Sequence, residues 1–223
     1  MRKTIYEITE PIFCDGKYGG QTLLDEVVDC ITAIINTFRD GRTVYICGNG
    51  GSMADAEHFA AEFTKNFMLK RMDTAFEQLK EKFIHTHSAE DYSDLLFQLQ
   101  PGLPVVSLCG LPTITAIAND LDYSVIFAQQ IVTYCRANDL VILLSTSGNS
   151  PNMLNAAIAC KLMQAKSVAV TGKEPGKLID LCDMGVSCEY TRTDQIQENT
   201  YQLLHLMCRV VEMYMFSPKF IYA

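Results

Sequence analysis

The chain has 223 residues, 48% hydrophobic and 20% charged, the profile of one globular α/β domain with ample core. A net charge of −8 and a pI near 5.0 argue against nucleic acid and anionic membrane as partners, since no basic run offsets them. A phosphate site built from backbone amides and hydroxyls is still compatible with that charge. No apolar stretch is long enough to span a bilayer, and MRKTIYEITE lacks the apolar segment of a secretory leader. Nine scattered cysteines without a C-x-x-C pair read as reduced thiols in a cytoplasm rather than as disulfides or a cysteine-zinc site.

Residues 1–19 read as irregular. Leu23, Leu24, Val27, Val28, Ile31, Ile34, Ile35 and Phe38 recur with helical period, predicting a helix over 20–39 that Asp40-Gly41 ends. Thr43 to Cys47 is β-branched and aromatic, a short buried strand. Gly48-Asn49-Gly50-Gly51-Ser52 breaks it, and an alanine-rich helix follows from Ser52 to about Phe67. Residues 68–102 are more charged and carry two amphipathic helices, roughly 73–85 and 89–99, joined by His85-Thr86-His87-Ser88. From 104 the α/β alternation resumes. Strands are expected at 104–109, 140–144, 167–170 and 184–188. Helices are expected at 111–118, 123–136, 151–164, 177–181 and 194–215. The aromatic tail from Phe216 to Ala223 is a candidate partner contact.

Continuous apolar strands alternating with helices predict a parallel sheet covered on both faces. Ligands then bind at the carboxyl ends of the strands. Two glycine- and hydroxyl-rich turns fall at such ends: GNGGS at 48–52 and STSGNS at 145–150. Each precedes a helix, whose N-terminal N–H groups and dipole attract anions. GNGGS lacks the G-x-G-x-x-G spacing of a dinucleotide site and the lysine of a P-loop. With no Lys or Arg in either turn, a sugar phosphate is favoured over a nucleotide. An ordinary helix cap is the alternative for STSGNS. His58 and Glu62 stand four apart on one helical face, either as an acid/base or metal pair or as a solvated pair.

CGNGGSMADAEHFAAEF, LPTITAIANDLDYSVIFAQQI, LLSTSGNSPN, TGKEPGKL and DQIQENTYQLLHLMCRVVE resemble, in this order and spacing, the sugar isomerase (SIS) domain. More closely they resemble the phosphoheptose isomerases, over about residues 20–66 and 103–215. The resemblance implies a three-layer α/β/α sandwich around a five-stranded parallel sheet, flavodoxin-like, in a homotetramer with interfacial sites. It implies conversion of sedoheptulose 7-phosphate to D-glycero-D-manno-heptose 7-phosphate, towards the heptose of bacterial surface polysaccharide. Glu62 would be the general base and His205 the general acid. Ser52, Ser145, Ser147 and Ser150 would hold the phosphate, with Thr146 beside them. Asn49, Asp120, Asp194 and Gln197 would contact the sugar, and Gly50, Gly51 and Asn119 complete the substrate-binding set. One zinc per subunit would fall on His58, Glu62, Gln197 and His205. Gln197 and His205 are eight apart, roughly 12 Å along a helix. An ion reached by both therefore needs near-full extension, an irregular helix, or ligands from two chains.

Three features depart from the family's pattern: the long 68–102 segment, read as a lid or oligomer contact; Met53 after Ser52, expected to narrow the pocket; and Asn199-Thr200. They leave open an isomerase or sensor for another sugar phosphate. A non-catalytic SIS protein that binds a replication initiator is a further alternative, against which Glu62 and His205 argue.

Overall fold

The computed structural model describes residues 1–16, 18, 20–71, 73–87 and 92–217. Five parallel strands form one sheet in the order β2-β1-β3-β4-β5. They are β1 (Val44–Gly48), β2 (Val105–Ser107), β3 (Leu140–Ser145), β4 (Lys166–Thr171) and β5 (Met184–Ser187). β1 and β3 are buried along their whole length, as strands covered on both faces must be. α1 (Arg2–Gly16), α2 (Gln21–Arg39), α3 (Gly51–Thr64) and α10 (Thr193–Phe216) pack on one another on one face. α6 (Leu111–Asp120), α7 (Ile126–Tyr134), α8 (Pro151–Met163) and α9 (Leu178–Leu181) lie on the other. This is the expected three-layer α/β/α sandwich.

The strand order places the functional turns. β1 is the point where the chain reverses its direction of travel across the sheet, and in such sheets the crevice opens there. β1 pairs directly with β3, Gly48 opposite Leu144. GNGGS and STSGNS therefore emerge side by side.

Three elements differ from expectation. The N-terminal segment is helical: Ile5, Ile8 and Phe13 are buried, a sparse stripe that Pro11 within the helix disguises. α3 stops at Thr64 rather than near Phe67. Arg71 takes the Glu62 and Phe63 carbonyls, and the Glu212 carboxylate takes the N–H groups of Phe67, Met68 and Leu69, so these residues leave the helix. The helix α4 (Thr74–His87) runs through the predicted 85–87 connection, and α5 covers Ser93–Gln98. Residue 88 and the start of the second predicted helix lie outside the described residues, as does the tail from 218. Lys80 fastens α4 to the end of α5 by donating to the Leu99 carbonyl at 2.8 Å. Leu79, Leu95 and Phe97 remain exposed on this helical pair. Met53 packs partly against the core.

Candidate active site

The two turns are stitched together by a pair of amides. Asn49 Nδ2 donates to Asn152 Oδ1 at 2.9 Å, and Asn152 Nδ2 returns to Asn49 Oδ1 at 2.8 Å. Tyr123 Oη also donates to Asn49 Oδ1, at 3.1 Å. Asn152 is 1% exposed, so this bridge is a fixed part of the floor. Gly50 sits at φ +57, a backbone state that suits glycine, and turns the chain into α3. Ser52 is buried directly beneath Gly48.

In the second turn, the Gly148 N–H reaches the Ser145 carbonyl at 3.3 Å and its Oγ at 3.2 Å. Gly148 holds φ +60, and a Cβ there would lie 1.6 Å from the Pro175 carbonyl oxygen. Asn149 ties the turn to the 173–177 segment, accepting from Lys177 N at 3.2 Å while its Nδ2 donates to the Ser147 carbonyl. Ser150 stands at the N-cap of α8, yet its side chain makes no cap bond. The ordinary-cap alternative is therefore not realised, and the hydroxyl is spared at a helix N-terminus. A cavity of about 400 Å³ opens here, lined among others by Thr146, Ser147, Asn149, Glu174, Tyr190 and Thr193.

The chemical group comes from α3 and α10, which run parallel and in step. Gln197 meets α3 at its start: a Cβ on Gly51 would lie 2.7 Å from Gln197 Nε2. Two turns further, His58 Nε2 is 2.9 Å from His205 Nε2 and 3.6 Å from Glu62 Oε1. Glu62 is 11% exposed at its side chain, and its Oε2 accepts from Lys65 Nζ at 2.6 Å. Tyr201 Oη lies 3.4 Å from His58 Nε2. Its ring meets the His205 ring edge-on, centroids 4.3 Å apart, and Phe67 stacks on His205 at 5.5 Å. Burial, followed by the neighbouring His58, holds the His205 imidazole below its ordinary value, against a smaller opposing pull from Glu62. The charged form of His205 is thus disfavoured. A largely buried carboxylate and an imidazole, bridged by a second imidazole, can take a proton from carbon and deliver one to oxygen.

Other predicted residues lie apart from this group. Asn119 and Asp120 are exposed at the end of α6, with Asn119 Nδ2 donating to Asp120 Oδ1 at 2.8 Å. Asp194 is exposed and paired with Arg192, which holds its carboxyl below the usual range. For zinc, His58, His205 and Glu62 are a suitable N/O donor set. Gln197, the fourth predicted ligand, stands beside Gly51 at the start of α3. Lys65 occupies a Glu62 oxygen, and among the described residues no three His, Cys, Asp or Glu groups close on a common point.

Sequence reasoning passed over Lys65, Phe67, Tyr201, Tyr123 and Asn152. Lys65 lies three residues after Glu62 and Tyr201 four before His205, so helical spacing alone puts both beside the group. Phe67, Tyr123 and Asn152 come from folding of the chain and carry no local signal.

The SIS domain family matches residues 20–104 and 86–172. The chain is 35% identical to the phosphoheptose isomerase of Thermodesulfovibrio yellowstonii over 88% of its own length and 82% of the relative's. It is 32% identical to that of Helicobacter pylori, with 85% and 84% covered. The solved phosphoheptose isomerase of Neisseria gonorrhoeae superposes with a TM-score of 0.66 at 26% identity, with 95% of this chain and 92% of that one covered. That of Francisella tularensis gives 0.70 at 23% identity, with 95% and 96% covered, a likeness of fold.

Proposed function

This chain belongs to the phosphoheptose isomerases of the SIS domain family, and we propose how its cleft interconverts sedoheptulose 7-phosphate and D-glycero-D-manno-heptose 7-phosphate. The observation that carries the reading is the meeting of His205 with His58 at 2.9 Å, on the helix face that also bears Glu62. In this reading the phosphate is seated by Ser52, Ser145, Thr146, Ser147 and Ser150, where helix N-termini and hydroxyl O–H groups supply acceptor-matching donors. In this reading Asn49, Gly50, Gly51 and Gln197 contact the sugar between the phosphate turns and the acid–base group. Asn119, Asp120 and Asp194 belong to the sugar end only if ligand binding or a second subunit draws them in.

The reaction needs two proton exchanges. The Glu62 carboxylate takes a proton from C1 of the ketose, and His205 gives one to the C2 oxygen, leaving a cis-enediol. The imidazole then removes the proton from O1, and Glu62 returns its proton to C2, giving the aldose and restoring both groups. Acid–base catalysis of this kind contributes about 10²–10⁴-fold. Lys65 balances the Glu62 charge at rest. Zinc, where bound, would draw its ligands from His58, Glu62, Gln197 and His205 and would polarise the carbonyl.

A homotetramer with interfacial sites is part of the proposal. Leu121 at the end of α6, Val132 on α7, and Ile158 and Leu162 on α8 form an exposed apolar face, with Asp120 next to Leu121 in the chain. Such a face suits burial by a second copy. A cytoplasmic site of action suits the nine free cysteines. Among the described residues no helix is long and apolar enough to cross a membrane.

The test is to incubate the protein with sedoheptulose 7-phosphate, with and without zinc and chelator, and follow heptose 7-phosphate by NMR. Turnover that vanishes in Glu62→Gln and His205→Ala supports the assignment. Binding of another sugar phosphate without turnover would move the chain to a sensor or a different substrate.

A further inference from the structure

One buried ion pair outside the acid–base group joins the two helices that carry it. Arg71 and Glu212 are each 1% exposed at the side chain, with Nε to Oε1 at 3.0 Å. The Arg71 fork reaches further: Nη1 donates to the Phe63 carbonyl at 2.7 Å and to the Pro101 carbonyl at 3.4 Å, and Nη2 to the Glu62 carbonyl at 2.9 Å. The Glu62 and Phe63 carbonyls belong to the last turn of α3 and have no partner within the helix. A cation there also complements the negative end of the helix dipole. Arg71 thus closes α3 at Glu62 itself.

Glu212 does the reciprocal work on α10. Its Oε1 accepts from Phe67 N at 2.7 Å, and its Oε2 from Met68 N at 2.6 Å and Leu69 N at 2.9 Å. Those bonds fix the segment whose Phe67 ring stacks on His205. Glu212 lies seven residues after His205 on the same helix. The Phe216 ring covers the guanidinium at 5.1 Å and excludes water.

We propose that the Arg71–Glu212 pair is a positioning device for the isomerisation: it sets the placement of Glu62 on α3 against His205 on α10, and so governs kcat rather than substrate affinity. The inference rests on the acid–base reading above. Neither residue touches the phosphate turns or the reacting atoms. A misplacement of about 1 Å between reacting groups can cost 100-fold in rate.

The experiment replaces both partners at once. Removing one member of a buried pair strands the other charge, whereas apolar replacement of both often leaves the fold intact. In the full chain, Arg71→Met with Glu212→Leu is expected to keep the oligomeric state and to bind the reduced, non-isomerisable heptitol 7-phosphate one per chain, with Kd within twofold. KM for sedoheptulose 7-phosphate stays within twofold, and kcat falls 10- to 100-fold. Arg71→Lys, which keeps the charge and loses the fork, is the second variant should the double one fail to fold. Its expected result is a fivefold or greater loss of kcat at unchanged KM and binding stoichiometry. A folded variant of either kind with kcat within twofold of the parent overturns the proposal. So does a loss carried by KM or by fewer binding sites. If the parent chain itself shows no turnover, the acid–base reading fails first.

Discussion

His58 Nε2 and His205 Nε2 stand 2.9 Å apart although 147 positions separate them in the chain. A hydrogen bond at that distance requires one nitrogen to carry the proton and the other to accept it. His58 is thereby more than a metal-ligand candidate, because it sets the electrical environment of the proposed acid.

That environment fixes a pH dependence. Burial and then His58 lower the His205 value, with Glu62 opposing. The free imidazole titrates near 6.5. Protonation is thus harder in the folded state, and stability declines as pH falls from about 6.5 towards the lowered value. Imidazole ¹⁵N NMR is expected to place the His205 midpoint below 6.5 and to move it upward in His58→Asn. A parent midpoint at or above 6.5 contradicts the assignment.

Two glycines should respond in opposite ways. At Gly148 a methyl would lie 1.6 Å from the Pro175 carbonyl oxygen at φ +60. Gly148→Ala is expected to cost about 3 kcal/mol or more and to abolish phosphate binding. At Gly51 the obstacle is the tip of Gln197, a flexible side chain. Gly51→Ala should leave Tm unchanged or raised, since alanine favours the helix by up to about 1 kcal/mol, while KM rises as Gln197 is displaced. Urea unfolding and steady-state kinetics on the two variants separate these effects.

Asn152 contacts the chemistry only through Asn49. Asn152→Ala strips the Asn49 amide of two hydrogen bonds at a site that is 1% exposed. A loss of about 1–3 kcal/mol is expected. Because the bridge joins both turns, KM should rise several-fold with kcat changing less. A KM equal to the parent's would show that the turns keep their spacing unaided.

Glu212 predicts sensitivity to acid. Burial pushes its carboxyl up, but three backbone N–H groups and Arg71 outweigh that, and the net shift is downward. The stabilisation is therefore complete above the ordinary carboxylate range near 4.3 and is lost as pH falls through the lowered value. Thermal melts from pH 7 to pH 3 should show a steeper decline for the parent than for Glu212→Gln, which starts lower. Parallel declines would remove Glu212 from the acid response.

The sheet was legible because its strands are continuous apolar runs bounded by glycine turns, and Val44 to Gly48 or Leu140 to Ser145 admit little else. His58 and Glu62 were legible from their spacing on one helix. Their partner His205 was named through family resemblance, since nothing local to residue 205 points at residue 58. α1 was hidden by Pro11 and a sparse apolar stripe. The end of α3 was hidden for another reason: its last carbonyls are satisfied by Arg71, which lies beyond the helix and owes its place to Glu212 on α10. Local spacing reveals neighbours along a helix, and tertiary closure reveals the rest.

The parallel packing of α3 on α10 has a consequence for synthesis. His58 and Glu62 leave the ribosome well before His205, Gln197 and Glu212, which arrive together on α10. Until α10 emerges, the nascent chain holds Glu62 without the His205 imidazole nearby and a 67–69 segment without its Glu212 anchor. On the proposed reading the acid–base group is therefore assembled in one step, when α10 docks, and chains truncated before α10 are expected to be inert towards the sugar even where their sheet has formed.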